Sequence, residues 1–117
     1  MIVHFHIASN KVGQPPSDTQ CAEDEDDAVL ALETLLGDQM DEWADRCPAY
    51  GTDDWQECSC AWCELVLNVE RYNDGVGDDA VGHNLREHGT AGEVFYTPDG
   101  IGKAFWIKRE DGARCAA

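Results

Sequence analysis

Alternating apolar segments open and close this chain, with two stripes of helical period between them, and that order constrains the fold more than any other feature. Residues 2–8 put Val3, Phe5 and Ile7 on one face of an extended segment and His4 and His6 on the other, the pattern of a half-buried strand. Near the other end, residues 93–97 and 103–108 flank Thr97-Pro98-Asp99-Gly100, with proline and glycine in the order a reverse turn requires. Three strands too short to stand alone must share one sheet, and the stripes between them supply its cover.

The first stripe is Val29, Leu32, Leu36, Met40, Trp43 and Cys47 at spacings of three and four. Acids at 23–27 precede it, where the positive end of a helix dipole favours them, and Pro48 stops it. Gly37 is the weak point, costing about 1 kcal/mol against alanine and able to split the helix. The second stripe is Trp55, Cys58, Trp62, Leu65, Val66 and Val69, with Thr52 as N-cap and Asn73-Asp74-Gly75 as its end. Trp55, Trp62 and Val66 are expected to pack against Val29, Leu36 and Trp43. Residues 78–88 predict a short third helix stopped by Gly89. Residues 9–22, with Pro15-Pro16, predict an extended loop. The expectation is an α+β fold: a small antiparallel sheet of N-terminal strand plus C-terminal hairpin, packed by a two-helix hairpin and a short third helix. Residues 1–117 read as one domain, long enough to bury roughly 65% of its unfolded surface.

Four of the six cysteines, Cys47, Cys58, Cys60 and Cys63, fall within seventeen residues. Four thiolates brought together tetrahedrally are a complete structural zinc site. If the second helix begins near Ser59, Cys60 and Cys63 share its first turn, and Cys47 and Cys58 close the tetrahedron from the loop. If it begins at Thr52, Cys58 and Cys60 point about 200° apart, and the cluster is one buried and one exposed reduced thiol. A disulfide is the third reading. The spacing C-x10-C-x-C-x2-C is not a common zinc-ribbon pattern. The cofactor expectation is therefore none or zinc.

The formal charge is −16. Residues 1–79 hold nineteen acids against Lys11, Arg46 and Arg71, while residues 80–117 balance five acids with five bases. Such a polyanion repels nucleic acid and anionic membranes. Asp27, Asp38, Asp41 and Asp45 form an acidic face on the first helix, opposite its apolar stripe. Acids on successive turns recur about every 5.4 Å, within a factor of two of the roughly 3.4 Å axial rise between phosphates of one strand.

Catalytic patterns are absent from the sequence. Gly75-Val76-Gly77 lacks the third glycine and the preceding strand of a dinucleotide loop, and Ser9, Ser17 and Ser59 lie in no nucleophile elbow. Carboxylates around Cys60 are expected to raise its pKa and suppress its thiolate. His4 and His6 can chelate, but no third ligand is near in sequence, so they read as solvated; His83 and His88 are 140° apart on a helix. No segment approaches the roughly 20 apolar residues of a membrane helix, and the N-terminus lacks a secretory pattern. A soluble, intracellular, non-enzymatic protein is expected, in a reducing compartment that disfavours disulfides.

The opening MIVHFHIASN, the acidic approach DEDDAVLALETLL, the segment CSCAWCE and the ending VFYTPDGIGKAFWIKRE together resemble the small orphan accessory proteins of actinobacteriophages, mycobacteriophages included. Similar proteins open with a short strand and Ser-Asn, pass through a proline-containing loop, and close with an aromatic hairpin. They commonly carry Gly-Tyr-Leu-Pro in the first loop; Val12-Gly13-Gln14-Pro15 stands here, without the aromatic. The resemblance implies an accessory protein in the host cytoplasm that binds a host or defence protein, and it implies no activity. The alternative is an acidic nucleic-acid mimic that occupies the groove of a DNA- or RNA-binding host protein. Neither reading involves direct nucleic-acid or membrane binding.

Overall fold

The computed structural model describes residues 3–49, 51–53, 57–77 and 80–112. Its order is β1 (Val3–Lys11), β2 (Ser17–Ala22), α1 (Glu25–Ala44), α2 (Ala61–Gly77), α3 (Ala80–His88), β3 (Thr90–Tyr96) and β4 (Gly102–Asp111). The strands form one antiparallel sheet in the order β2-β1-β4-β3. The fold is therefore α+β, with the N-terminal strand joined to the C-terminal hairpin as its sequence predicts. Among the described residues no helix is long and apolar enough to cross a membrane.

One strand was not expected. The stretch predicted as a loop over 9–22 instead extends β1 to Lys11, turns, and returns as β2. Gly13 makes the turn with φ 85, and the Gln14 amide donates to the Lys11 carbonyl at 2.9 Å. The prolines lie between the strands, not in one, so they exclude helix without excluding the hairpin. β2 is an edge strand and buries Ala22 alone among its described side chains, so it carries no apolar alternation to read.

Helix α1 begins as expected. Asp24 caps it by accepting the Asp27 amide at 2.8 Å, and Glu25, Asp26 and Asp27 fill the first turn. Gly37 does not split it, because Leu32 and Leu36 on the buried face are both 0% exposed and hold the helix to the core. The helix stops at Ala44, short of Cys47. The Arg46 and Cys47 amides donate to the carbonyls of Trp43 and Ala44, three residues back, tightening the last turn into 3₁₀ geometry.

Helix α2 departs further from its predicted span. It starts at Ala61, not Thr52, and runs past Asn73-Asp74-Gly75 to Gly77. Pro48 and the left-handed Gly51 (φ 80) break the chain after α1, and Thr52 closes a turn onto the Ala49 carbonyl. Cys58 is therefore on a loop, and Trp55 lies outside the described residues. The buried face of α2 is Leu65 and Val69, with Trp62 and Val66 only partly buried.

All three helices lie on one side of the sheet. Phe5, Ile7, Phe105 and Ile107 from the strands meet Leu32, Leu36 and Trp43 of α1, Leu65 and Val69 of α2, and Val81 and Leu85 of α3. Trp43 meets Phe105 edge-on, with ring centroids 6.4 Å apart, and Phe95 meets Phe105 at 6.1 Å. Among the described residues the opposite face of the sheet carries no helix.

A Cβ at Gly37 would meet nothing within 4 Å, so Gly37→Ala should stabilise the protein by about 0.5–1 kcal/mol, through helix propensity and a less disordered unfolded chain. Trp43→Ala should cost about 3–5 kcal/mol, and Trp62→Ala clearly less because Trp62 is only half buried. Urea unfolding of the three variants measures all of these. A Trp62→Ala cost equal to that of Trp43→Ala would contradict the packing.

Candidate metal centre

The tight turn at the end of α1 presents Cys47, and the start of α2 presents the other three thiols. Cys60 stands at the mouth of α2, its carbonyl accepting the Glu64 amide at 3.0 Å, and Cys63 lies in the first turn. Cys58 comes in from the loop. The Sγ of Cys47 is 3.5 Å from that of Cys58, 3.6 Å from Cys60 and 3.4 Å from Cys63. All four sulfurs lie within 4.8 Å of one another. Four sulfurs around one zinc at about 2.3 Å would be separated by about 3.75 Å, the edge of the tetrahedron. The four cysteines thus form a single cluster that can hold a metal ion. Of the two helix starts the sequence allows, the structure adopts the later one, which lets Cys58 and Cys60 converge.

The Arg46 guanidinium lies 5.3 Å from the Trp62 ring centroid and 3.6 Å from Glu42, linking the end of α1 to the start of α2 beside the thiols. Cys47 is buried and the other three are partly exposed.

The thiols differ in acidity. Cys60 is lowered to about 7, first by the backbone amide of Cys63 and then by the neighbouring thiols, against the cost of burial. This corrects the expectation of a suppressed thiolate: a hydrogen-bonding amide in the first helical turn and the neighbouring thiols outweigh the cost of burial. Burial, reinforced by its three neighbours, raises Cys63. At Cys58 the Cys60 amide pulls downward, but the Cys47 and Cys60 thiols together with burial leave it raised. Cys60 is therefore the thiolate on which metal capture near neutrality can begin.

Asp27, Asp38, Asp41 and Asp45 are all exposed on α1. Asp38 also lines a cleft of about 420 Å³ between the sheet and α1, together with Glu42, Gln39 and Lys103, whose ammonium donates to the Gln39 side-chain oxygen. Cys21 is disulfide-bonded, against the expectation of a reducing compartment that disfavours disulfides. His4 and His6 are joined by Glu110, a residue the sequence does not single out. Antiparallel pairing of β1 with β4 sets His4 opposite Glu110, and only that pairing would have revealed it.

Purified without chelator, the protein should carry about one equivalent of zinc, and a strong chelator should lower its helix content. Any single serine substitution at the four positions should remove the metal. Because zinc binds thiolates, its affinity should fall as pH drops, and fall more steeply below about 7, where Cys60 too regains its proton; a chromophoric chelator reads the change. Elemental analysis showing no zinc would dispose of the site. Comparison with family models, with curated proteins and with solved structures returned no match, so the reading of this centre rests on its geometry.

Proposed function

We propose that the chain is a non-enzymatic binding module whose helical hairpin is closed by zinc, an accessory protein of the actinobacteriophage kind that engages a host or defence protein in the host cytoplasm. The observation that carries this reading is the four-sulfur cluster. Four protein sulfurs complete a tetrahedral shell and leave no position for substrate, which is the arrangement of structural zinc rather than catalytic zinc. The metal then serves the surface it stiffens, namely the end of α1 and the start of α2.

The acidic surface supports a second reading, the nucleic-acid mimic. Asp27 and Asp41 on the 20-residue α1 and Asp45 at its C-cap are exposed, and the last turn of the helix holds no base. Asp38, by contrast, borders the cleft that holds Lys103, so the charge is not one uninterrupted row.

Capture of partners from host lysate at low and high salt distinguishes the two. The binding-module reading expects a partner retained at high salt and unaffected by changing Asp27, Asp41 and Asp45 together to asparagine. The mimic expects a DNA- or RNA-binding partner lost at high salt and lost with the triple substitution, because exposed charges are screened beyond about 10 Å at 0.1 M salt. Failure to retain any partner under either condition would overturn both.

A further inference from the structure

The open face of the sheet carries a second group of metal-ligating side chains, separate from the cysteines. His4 and His6 project from β1 on the face away from the helices, and Glu110 on β4 lies directly across from His4. His4 Nε2 is 3.1 Å from His6 Nε2, His6 Nε2 is 3.0 Å from Glu110 Oε2, and His4 Nε2 is 3.5 Å from that same oxygen. We propose that His4, His6 and Glu110 form a divalent transition-metal site of two imidazoles and one carboxylate.

Three observations carry it. The first is the size of the triangle. Ligands at about 2.1 Å from one ion are about 3.0 Å apart on an octahedral face and about 3.4 Å apart in a tetrahedron. The observed edges of 3.0, 3.1 and 3.5 Å fit that range.

The second is the count of protons. His4 Nδ1 is 2.9 Å from the Gly112 carbonyl and must donate to it, so the Nε2 of a neutral His4 is a bare lone pair. The Glu110 oxygen brings only lone pairs. Neutral His6 therefore has one hydrogen at Nε2 to serve two acceptors. A cation at the centre satisfies all three atoms at once, and the Gly112 carbonyl orients His4 as outer-shell carbonyls orient metal-bound imidazoles.

The third is burial. His4 is 4% exposed, while the side chains of His6 and Glu110 are 20% and 39% exposed, so the ring is fixed at the back and the site is open at the front. Lys108 Nζ sits 3.4 Å from the other carboxylate oxygen, Oε1, leaving Oε2 turned to the histidines. Cys21, across from His6 on β2, is disulfide-bonded and is not a ligand. The three groups fill three positions, and the remainder stay open to water or to an anionic ligand. Imidazole and carboxylate together suit zinc, iron, cobalt or nickel rather than calcium or magnesium.

The test is a Zn²⁺ titration of the full chain with its cysteine centre already loaded, followed by ¹⁵N NMR of the histidine rings. Thiolate binding does not register in that signal. Saturation of one added equivalent should move the Nε2 resonances of His4 and His6 together to metal-bound values. Glu110→Gln and His6→Ala should weaken that binding at least about tenfold, with thermal melts of the variants before titration showing that they fold. Ring resonances that stay put at millimolar Zn²⁺, or Glu110→Gln binding as tightly as the parent, would overturn the site.

Discussion

The pairing of β1 with β4 is the interaction on which the rest of the structure depends. It joins residues 3–11 to residues 103–111 in an unbroken antiparallel register and makes these two strands the centre of the sheet. Closing a loop of that length costs on the order of 4 kcal/mol of chain entropy. Phe5, Ile7, Phe105 and Ile107 all lie at or below 4% exposure, and burial of such side chains returns roughly 1.5–3 kcal/mol each. The burial exceeds the closure cost, and the helices complete it from one side.

The same register explains why the two faces of the sheet differ so sharply in chemistry. Phe5 and Ile7 of β1 and Phe105 and Ile107 of β4 point into the core, and their even-numbered neighbours, His4, His6, Trp106, Lys108 and Glu110, point away from it. On that open face Trp106 donates from Nε1 to the Asn10 side chain at 3.0 Å, so its indole is anchored rather than stacked on the core. On the helix-bearing face Lys103 of β4 donates to Gln39 of α1 at the edge of the cleft between sheet and helix. The thiols gather separately, at the join of α1 and α2, where the apolar stripes run out.

Legibility followed the strength of the periodic signal. β1 and the stripe of α1 were readable because one face of each is apolar: Phe5 and Ile7 alternate with histidines, and Leu32, Leu36 and Trp43 recur at helical spacing. β2 was not, because an edge strand lying against one neighbour needs few apolar residues. The start of α2 was misplaced because Trp55 and Cys58 happen to continue the period of Trp62 and Leu65, while Pro48 and Gly51 shape the local chain. For the cysteines, density in sequence was a sound guide to convergence, though the choice between two geometries hung on that helix start. The histidine pair was visible and Glu110 was not, since a ligand 104 residues away from His6 has no local signature.

The central position of the first and last strands also fixes an order of assembly. Of the described elements β1 is made first and β4 last, so β1 has only β2 beside it until β4 is made. The α1–α2 corner needs nothing beyond residue 77 to bring its sulfurs together. A nascent chain can therefore organise its helical corner while the sheet is still half built, with Phe5 and Ile7 uncovered on one flank. Of the described strands β4 is made last and is the one that covers this sticky edge, so arrival of β4, rather than collapse of the helices, ends its exposure to aggregation.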